Sequence, residues 1–387
     1  MSKQVRLGIV GIGNQGSAYL QRVIEGLCPE LVLTAVADIK PERLTRAAEM
    51  APGVKCFDTA DEMFKSGLID AVVITTPHYD HPVLAIESMK HGLHVMVDKP
   101  SGVYTKQVRE MNDVVAESDV VFGLMFNQRT DHMYRKVKEI VSSGELGRIR
   151  RVHWFATNWY RPQVYYDSGA WRATWSGEGG GVLLNQCPHN LDMLQWICGL
   201  PVTVDAKMHF GKWHDIEVED DVTAYFEYEN GATGTFITTT GDTPGSNRLE
   251  MAFDGGKLLA EDGEITLWKL DMPEPEFSRI NKEAFGAPGF TKTVVETDGE
   301  SEQHIGVLNS FAGAILRGEP LIADGADGIN GLMLSNAMHL SAWTGGPVTL
   351  PLDEDLFYNE LMKRVKSSRH KTNVTEVVSE LSGSFRI

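Results

Sequence analysis

The first third of the chain alternates short apolar runs with segments in which apolar residues recur at helical spacing. The near-continuous apolar runs are Val5–Val10, Leu31–Ala37, Ala71–Ile74, Leu93–Val97 and Val120–Leu124. Helical patterns lie between them, for example over Pro41–Met50, Asp80–His91 and Lys106–Glu117. Short apolar strands that alternate with helices are typical of a parallel sheet covered on both faces. The pattern therefore predicts an N-terminal α/β domain with a doubly wound parallel sheet, over residues 1–127.

After a helix predicted near Asp131–Ser143, the pattern becomes mostly strand-like. Several runs alternate apolar and polar residues: Ile149–Thr157, Thr203–Phe210, Val222–Tyr228, Thr233–Thr240 and Arg248–Phe253. Period-two alternation is typical of strands with one buried face. We expect residues 128–387 to form an α+β domain with a large, mostly antiparallel open sheet, used for substrate binding and oligomerisation.

Helical patterns return near the end of the chain. Ser301–Arg317 and Ala326–Ala342 are expected to cover one face of the open sheet. Self-association into a homo-dimer or homo-tetramer would cover the other face. The tail contains a helix-like segment, Leu356–Ser368, and a polar end that we expect to pack back over the first domain.

Composition narrows the class of protein. A chain of 387 residues is too long for one ordinary core, which supports two domains. The net charge of −17 argues against nucleic acid or an anionic membrane as a partner, because both require a basic face. The four cysteines form no CxxC pair, Met1 lies almost next to the first strand, and no apolar run is long enough to span a bilayer. These features predict a cytoplasmic protein.

A glycine-rich turn follows the first strand. Residues 11–16 read Gly-Ile-Gly-Asn-Gln-Gly and lead into a helical pattern, and the second apolar run ends at Asp38. In this strand–turn–helix context the glycines allow a pyrophosphate to approach the backbone at the helix N-terminus, and the acid accepts hydrogen bonds from an adenosine ribose. The alternative is a glycine turn without a ligand. The motif predicts a dinucleotide, and Asp38 favours NAD over NADP because it would repel a 2′-phosphate.

Two further loops should lie beside the dinucleotide, because ligands of doubly wound sheets bind beyond the carboxyl ends of the strands. One is Thr75–His81 and the other is Asp98-Lys99-Pro100. An ammonium group at Lys99 could stabilise an alkoxide as hydride leaves, or take part in proton transfer if burial lowers its pKa. A surface lysine in a turn is the open alternative.

Histidines also suggest chemistry. His189 follows the segment Gly179–Asn185, and a helix beginning near Asn185 would place both side chains on one face. His189 could act as a general base for a hydroxyl proton, with Asp192 orienting its ring, or it could be a structural histidine. His78 and His81 invite a metal interpretation, but the spacing matches no common zinc site, so we expect roles in the cofactor loop and no metal.

Aromatic residues are concentrated between Trp154 and Trp175, with Arg161 and Arg172 among them. Aromatic faces pack against the C–H faces of sugars and cyclitols, while nearby polar groups bind the hydroxyls. An ordinary interface or the edge of a core would give the same composition.

Taken together, the chain resembles the Gfo/Idh/MocA oxidoreductases, the glucose–fructose oxidoreductase and inositol dehydrogenase family. The resemblance covers nearly the whole chain and rests on these motifs: residues 8–16, Asp38, Thr76-Pro77, Lys99-Pro100, residues 179–192 and Ser335-Asn336-Ala337. Two positions depart from the family pattern. Asp98 stands where the family has glutamate before the lysine, and Asn185 stands where inositol dehydrogenase-like members have aspartate.

The resemblance implies a Rossmann domain followed by a domain with a large open sheet, with Lys99 as catalytic element and His189 as base. The implied function is NAD-dependent, reversible oxidation of a secondary ring hydroxyl of a sugar, glycoside or cyclitol to a ketone. In one form of this reaction, the oxidised carbon is C3. The alternatives are an inositol dehydrogenase, a glycoside hydrolase that oxidises, eliminates and re-reduces on retained NAD, and a non-catalytic dinucleotide or sugar sensor.

The resulting site prediction has three sets of residues. The catalytic set is Lys99, His189 and Asn185. The cofactor set is Gly11, Gly13, Asn14, Gln15, Gly16, Asp38, Ile39, Thr75, Thr76, Pro77, His81, Asp98, Lys99 and Asn127. The substrate set is Lys99, Asn127, Trp159, Tyr160, Arg161, Trp171, Arg172, Asn185 and His189.

Overall fold

Two sheets organise the chain in the computed structural model, which describes residues 4–369, 371 and 374. The first is a parallel sheet and the second is mixed and mostly antiparallel. The predicted fold class is therefore confirmed.

The first sheet has six strands within the described residues, in the order β3-β2-β1-β4-β5-β6. The strands are β1 (Val5–Val10), β2 (Leu31–Ala37), β3 (Lys55–Phe57), β4 (Ala71–Ile74), β5 (His94–Val97) and β6 (Phe122–Leu124). The helices between them are α1 (Asn14–Ile24), α2 (Pro41–Met50), α3 (Ala60–Lys65), α4 (Asp80–Lys90) and α5 (Thr105–Ala116). The strand order reverses between β1 and β4, and ligands bind at such switch points. Strand β3 was not predicted because it is short and only partly buried.

The second sheet has nine strands in the part of the chain that the structure describes, in the order β14-β13-β12-β11-β7-β10-β9-β8-β15. They are β7 (Ile149–Ala156), β8 (Thr203–Phe210), β9 (Glu219–Glu227), β10 (Thr233–Thr239), β11 (Asn247–Phe253), β12 (Gly256–Glu261), β13 (Glu264–Leu270), β14 (Phe290–Val295) and β15 (Val348–Thr349). The helices from this part of the chain are α6 (His132–Ser143), α7 (Gln163–Asp167), α8 (Val182–Asn185), α9 (Pro188–Cys198), α10 (Glu274–Ile280), α11 (Gln303–Arg317), α12 (Gly328–Thr344) and α13 (Glu354–Lys366).

Helices α6, α9 and α12 cover one face of the second sheet. Their apolar residues share a core with Trp154, Phe226 and Phe236 of the strands. The opposite face presents alternate residues to the outside, among them Phe155 at 40% and Tyr225 at 42% exposure. The predicted period-two alternation is thus observed, and the sheet has an open face.

Helix α11 contradicts one expectation. We predicted that both late helices cover the second sheet, but Val307, Leu308 and Phe311 of α11 pack into the core of the first sheet, with Leu7 and Ile9 of β1. Its apolar side chains fill a gap on the first sheet that the five earlier helices leave. Only α12 behaves as predicted.

Helix α13 returns to the first sheet's helices. Lys106 lies 2.7 Å from Asp355, and Arg109 lies 2.7 Å from Glu354. The polar end expected to pack over the first domain lies, except for residues 371 and 374, outside the described residues. Among the helices described, none combines the length and apolar character needed to cross a membrane.

Candidate active site

A cleft of about 1570 Å³ runs past the carboxyl ends of the first sheet's strands and reaches the loops of the second sheet. One end is lined by the glycine turn and the end of β2. The other end is lined by the loop before α7, by α8 and by the start of α9. The cleft therefore brings together the loops that the sequence analysis selected separately.

The cofactor end has the features that a dinucleotide requires. Gly13 precedes α1, and no side chain in the described residues caps this helix, so the first-turn N–H groups of Asn14 and Gln15 border the cleft. Asp38 is buried, and its Oδ2 accepts a 2.6 Å hydrogen bond from the Ile12 N–H. The carboxylate is thus fixed beside the turn, where it can bind ribose hydroxyls, and the site fits NAD.

Gly16 lies behind this turn and does not line the cleft. A Cβ atom at this position would lie 2.0 Å from the Gly11 carbonyl oxygen and 2.7 Å from Thr75 Oγ1. Only glycine allows α1 to approach the turn so closely. The predicted role of Gly16 in packing helix against strand agrees with this geometry. Gly16 is not among the residues that line the cleft.

His81 connects two loops. Its Nδ1 lies 2.7 Å from the Pro100 carbonyl oxygen, and its Nε2 lies 2.7 Å from the Thr76 carbonyl oxygen. Burial lowers the pKa of His81, and hydrogen bonding to the two carbonyls opposes that shift. The imidazole therefore fixes the Thr76 loop against the Lys99-Pro100 turn, although it also lines the cleft.

Lys99 lies where the two ends of the cleft meet. Its Nζ donates a 2.5 Å hydrogen bond to the main-chain oxygen of Asn185. Burial lowers the pKa of the ammonium group below its ordinary value, while the carboxylates of Asp98 and Glu178 act in the opposite direction. This amine is partly buried and held by Asn185, so it is not the surface lysine that the sequence left as an alternative.

The helix expected to carry both Asn185 and His189 is interrupted. Asn185 ends the short helix α8, and His189 lies in the first turn of α9, which begins at Pro188. The prediction of a single helix is wrong because Pro188 cannot continue α8 and instead begins a new helix. Both residues nevertheless line the cleft.

His189 is buried with its ring edge-on to Phe126, at a centroid distance of 6.4 Å. Burial, followed by the nearby charges of Lys99 and His304, lowers the pKa of His189 well below its ordinary value. The imidazole is therefore neutral at neutral pH and can accept a proton.

Asp192 does not orient His189 as predicted. Its two carboxylate oxygens accept hydrogen bonds of 2.9 and 2.7 Å from the guanidinium group of Arg129, and Gln195 donates a further bond of 3.0 Å. Asp192 projects toward the 3₁₀ turn at Asn127–Thr130, so the acid serves a buried ion pair.

Two arginines lie among the aromatic residues of the second domain. The Arg172 guanidinium lies 4.5 Å from the Tyr165 ring centroid and 4.7 Å from that of Trp171, and it donates a 2.8 Å hydrogen bond to the Tyr165 hydroxyl. Arg161 lies 5.3 Å from the Tyr165 ring. Tyr160 is exposed and also lines the cleft. This wall combines aromatic faces with hydrogen-bond donors.

Most predicted site residues line the cleft, but some do not. Those that do are Gly11, Gly13, Asn14, Gln15, Asp38, Ile39, Thr75, Thr76, Pro77, His81, Asp98, Lys99, Tyr160, Arg161, Trp171, Arg172, Asn185 and His189. Asn127 and Trp159 are buried behind its surface, where Asn127 donates to Gln303 at 2.5 Å and Trp159 donates to Asn190 at 2.8 Å. Neither residue is among those that line the cleft, and their contacts with ligands stay predictions.

The sequence analysis missed Glu178 and His304, whereas it expected His78 in the cofactor loop. Glu178 is buried beside Asn185 and hydrogen-bonds to its side chain. His78 and His304 line the cleft, and burial lowers the pKa of His304 to about 3. Glu178 had one available signal, because it is the only charged residue within the glycine-rich stretch 177–181. His304 had none, since it lies far along the chain in a helix expected on the other sheet.

His78 and His81 are not in the group of possible metal ligands found among the described residues. Among the described residues, the group of possible metal ligands that lie close together is Asp61, Glu87 and His91. These residues lie on α3 and at the end of α4, outside the cleft.

Comparison with known proteins agrees with this geometry. Residues 5–126 match the family described as an oxidoreductase family with an NAD-binding Rossmann fold, and residues 134–259 match the GFO/IDH/MocA C-terminal domain. Myo-inositol 2-dehydrogenase of Thermotoga maritima is 23% identical over 341 residues, which cover 86% of this chain and 95% of that protein. Inositol 2-dehydrogenase of Leifsonia xyli is 26% identical, with coverage of 68% and 79%.

A solved structure supports the same relationship. The WlbA dehydrogenase of Chromobacterium violaceum, in complex with NADH and UDP-GlcNAcA, is 27% identical with a TM-score of 0.79. The similarity covers 91% of this chain and 98% of that protein. With both of its domains matched, the chain belongs to the Gfo/Idh/MocA family of NAD-binding oxidoreductases.

Proposed function

We propose that this protein is an NAD-dependent dehydrogenase that oxidises a secondary ring hydroxyl of a sugar, glycoside or cyclitol to a ketone. The observation that carries the proposal is the placement of Lys99 and His189 on one cleft, between the glycine turn and the aromatic wall. A dinucleotide site alone would also fit a sensor. A partly buried amine and a buried neutral imidazole beside that dinucleotide site supply the groups that proton removal requires.

The residues have distinct roles in this proposal. NAD bound at the glycine turn would supply the acceptor for the hydride of the carbinol carbon. His189 accepts the hydroxyl proton, because its lowered pKa keeps the imidazole neutral. The ammonium group of Lys99 stabilises the negative charge that develops on the oxygen. The main-chain oxygen of Asn185 holds that ammonium group by its 2.5 Å hydrogen bond.

The second domain supplies the substrate class. The Arg172 guanidinium lies close to the rings of both Tyr165 and Trp171, so its remaining N–H groups can bind ring hydroxyls while the aromatic rings pack on C–H faces. Relatives named as inositol 2-dehydrogenases support a polyhydroxylated ring as substrate. Oxidation at C3 of a glycoside is the more specific form of the proposal.

The open face of the second sheet is the proposed oligomer interface. Phe155 of β7 and Tyr225 of β9 are exposed on this face, and a homo-dimer or homo-tetramer would cover them. Mass photometry of the purified protein tests this proposal, and a monomer at all concentrations would contradict it.

The function is tested by following NADH formation across a panel of sugars, glycosides and inositols, with NMR identification of the product ketone. Net NADH formation with a ketone product supports the dehydrogenase. Cleavage of a glycoside without net NADH would identify the retained-cofactor hydrolase instead. Binding of NAD and sugar without turnover of any substrate in the panel would indicate the sensor.

A further inference from the structure

A buried acid with no role in the proposed reaction lies beside the cleft. The side chain of Glu178 is only 2% exposed. Its Oε2 accepts a 2.5 Å hydrogen bond from the Ala173 N–H, and its Oε1 accepts a hydrogen bond from the Asn185 side-chain amide. Burial raises the pKa of Glu178, while the charge of Arg172 and the two hydrogen bonds oppose that shift. Two N–H donors, one to each oxygen, match an ionised carboxylate.

Asn185 is held at three points. Its Nδ2 faces Glu178, its Oδ1 accepts a 3.4 Å hydrogen bond from the Tyr165 hydroxyl, and its main-chain oxygen accepts the bond from Lys99. The orientation of the amide follows from these partners, because a carboxylate can only accept and the amide nitrogen can only donate. Asn185 therefore connects the carboxylate physically to the amine.

The connection is also electrostatic. The negative charge of Glu178 raises the pKa of Lys99, against the effects of burial and of Arg161 and Arg172. Asn185 itself is neutral and contributes no charge. Asp98 is the other acid acting on Lys99, and it lies on the cofactor side, hydrogen-bonded to the Tyr19 hydroxyl at 3.1 Å. Glu178 thus supplies the counter-charge from the substrate side.

We propose that Glu178 is a positioning residue, which holds Asn185 and the Lys99 ammonium group in place and supplies the negative charge that keeps this partly buried amine protonated. The inference rests on the proposed function, in which the protonated amine stabilises the developing alkoxide. Glu178 acts through Asn185 and does not itself touch the substrate.

Other charged and titratable groups also face Glu178, and the variants used in the test leave these residues unchanged. They are Lys99, Arg172 and Lys371, the carboxylate of Glu219, the phenol of Tyr166, and the imidazole of His78 at 3.2 Å from the Glu178 carbonyl oxygen.

The test compares Glu178→Gln with the double variant Glu178→Gln/Asn185→Asp. In the single variant, glutamine offers one acceptor oxygen to two N–H partners, and the charge is lost. In the double variant, the glutamine oxygen still accepts from Ala173, its amide donates to the new aspartate, and the charge moves next to Lys99. Glu217→Gln is the matched control, because Glu217 accepts a 2.7 Å hydrogen bond from Trp175 in the same loop but has no contact with Asn185.

Two measurements decide the result. The first measurement gives kcat and KM. We expect Glu178→Gln to lower kcat by about 10- to 100-fold with little change in the KM for NAD. In the double variant, kcat should recover by at least about tenfold. The second is the titration of Lys99 by NMR of ε-¹³C-lysine in the protein without substrate, assigned with Lys99→Met. Its pKa is expected to fall in Glu178→Gln and to return in the double variant.

A purely structural role would give a different pattern. Glu178→Gln would then lower the melting temperature but leave the Lys99 titration unchanged, and the double variant would not restore kcat. An unchanged Lys99 titration overturns the proposal, and so does a double variant in which kcat is not restored. If the wild-type protein oxidises no substrate in the panel, the proposed function fails, and the Lys99 titration still decides whether Glu178 supplies the counter-charge.

Discussion

The Nζ of Lys99 and the main-chain oxygen of Asn185 are joined by a 2.5 Å hydrogen bond, although the residues are 86 positions apart. Lys99 follows the last buried residue of β5 in the first sheet, and Asn185 ends α8 next to the second sheet. The bond therefore fixes the amine that we propose as catalytic relative to the aromatic wall of the cleft. The arrangement depends on both domains, since neither one holds the amine alone.

Replacement of Lys99 by methionine should remove activity and leave cofactor binding intact. Methionine keeps the length of the side chain but cannot stabilise an alkoxide, so we expect kcat to fall by about 10²- to 10⁴-fold. The dissociation constant for NAD, measured by tryptophan fluorescence, should change little. Lys282→Met, at an exposed lysine outside the cleft, is the control. Full activity of Lys99→Met would refute the mechanism.

Asp38 should determine the preference for NAD. Its carboxylate lies 3.4 Å from Arg43 and would repel a 2′-phosphate, whereas its removal leaves Arg43 available for that group. We expect Asp38→Ala to shift the ratio of kcat/KM for NAD to that for NADP by about 10- to 100-fold toward NADP, which corresponds to about 1.4 to 2.8 kcal/mol. Asp61→Ala, at an exposed acid outside the cleft, should leave the ratio unchanged. An unaltered ratio in Asp38→Ala would contradict the proposal that Asp38 determines the preference for NAD.

Glu219 should be essential for the stability of the loop that carries Asn185. This fully buried carboxylate accepts hydrogen bonds of 2.8 and 3.0 Å from the N–H groups of Gly181 and Leu183, and it lies 2.9 Å from His339 Nε2. We expect Glu219→Gln to lower the free energy of unfolding in urea by about 3 to 5 kcal/mol, because it leaves buried groups unpaired. Glu227→Gln, on the exposed face of the same strand β9, should cost less than about 0.5 kcal/mol. Equal effects of the two changes would contradict this account.

His304 should make the folded protein sensitive to acid. Burial lowers its pKa to about 3 in the folded state, against an ordinary value near 6.5 in the unfolded chain. Below pH 6.5 the unfolded chain therefore binds a proton that the folded protein excludes, so the stabilisation present above pH 6.5 is lost as the pH falls toward 3. This group contributes a loss of about 2 kcal/mol between pH 7 and pH 5.

The measurement is the free energy of unfolding at both pH values for wild type and His304→Gln. The difference between pH 7 and pH 5 should be about 2 kcal/mol smaller in the variant. Lys282→Gln, at an exposed lysine, should retain the wild-type difference. The same pH dependence in all three proteins would show that His304 is not the group responsible.

Local sequence carried much of the fold and the cofactor end of the site. Strands β1 and β2, the glycine turn and Asp38 lie within a single βαβ unit, so short-range pattern is sufficient to predict them. The split between α8 and α9 was missed because apolar spacing continues through Pro188. The partners of Asp192 and Glu178 could not be predicted, since they depend on which buried cation or amide the tertiary fold places nearby.

The substrate end shows the same limit. Trp159 and Asn127 have suitable chemistry and suitable positions along the chain, but the fold turns both toward interior partners. Sequence pattern indicates which residue types are concentrated in a region, and it does not indicate which side of a loop faces the cleft. Tyr160, the neighbour of Trp159, is the residue that is exposed there.

The position of α11 bears on how the chain acquires its structure during synthesis. The ribosome releases all six strands of the first sheet before Val307, Leu308 and Phe311 are made. Until then, the apolar surface that these residues cover stays in contact with water or with chaperones. An N-terminal fragment ending at residue 127 should therefore aggregate, even though it contains the whole nucleotide-binding sheet.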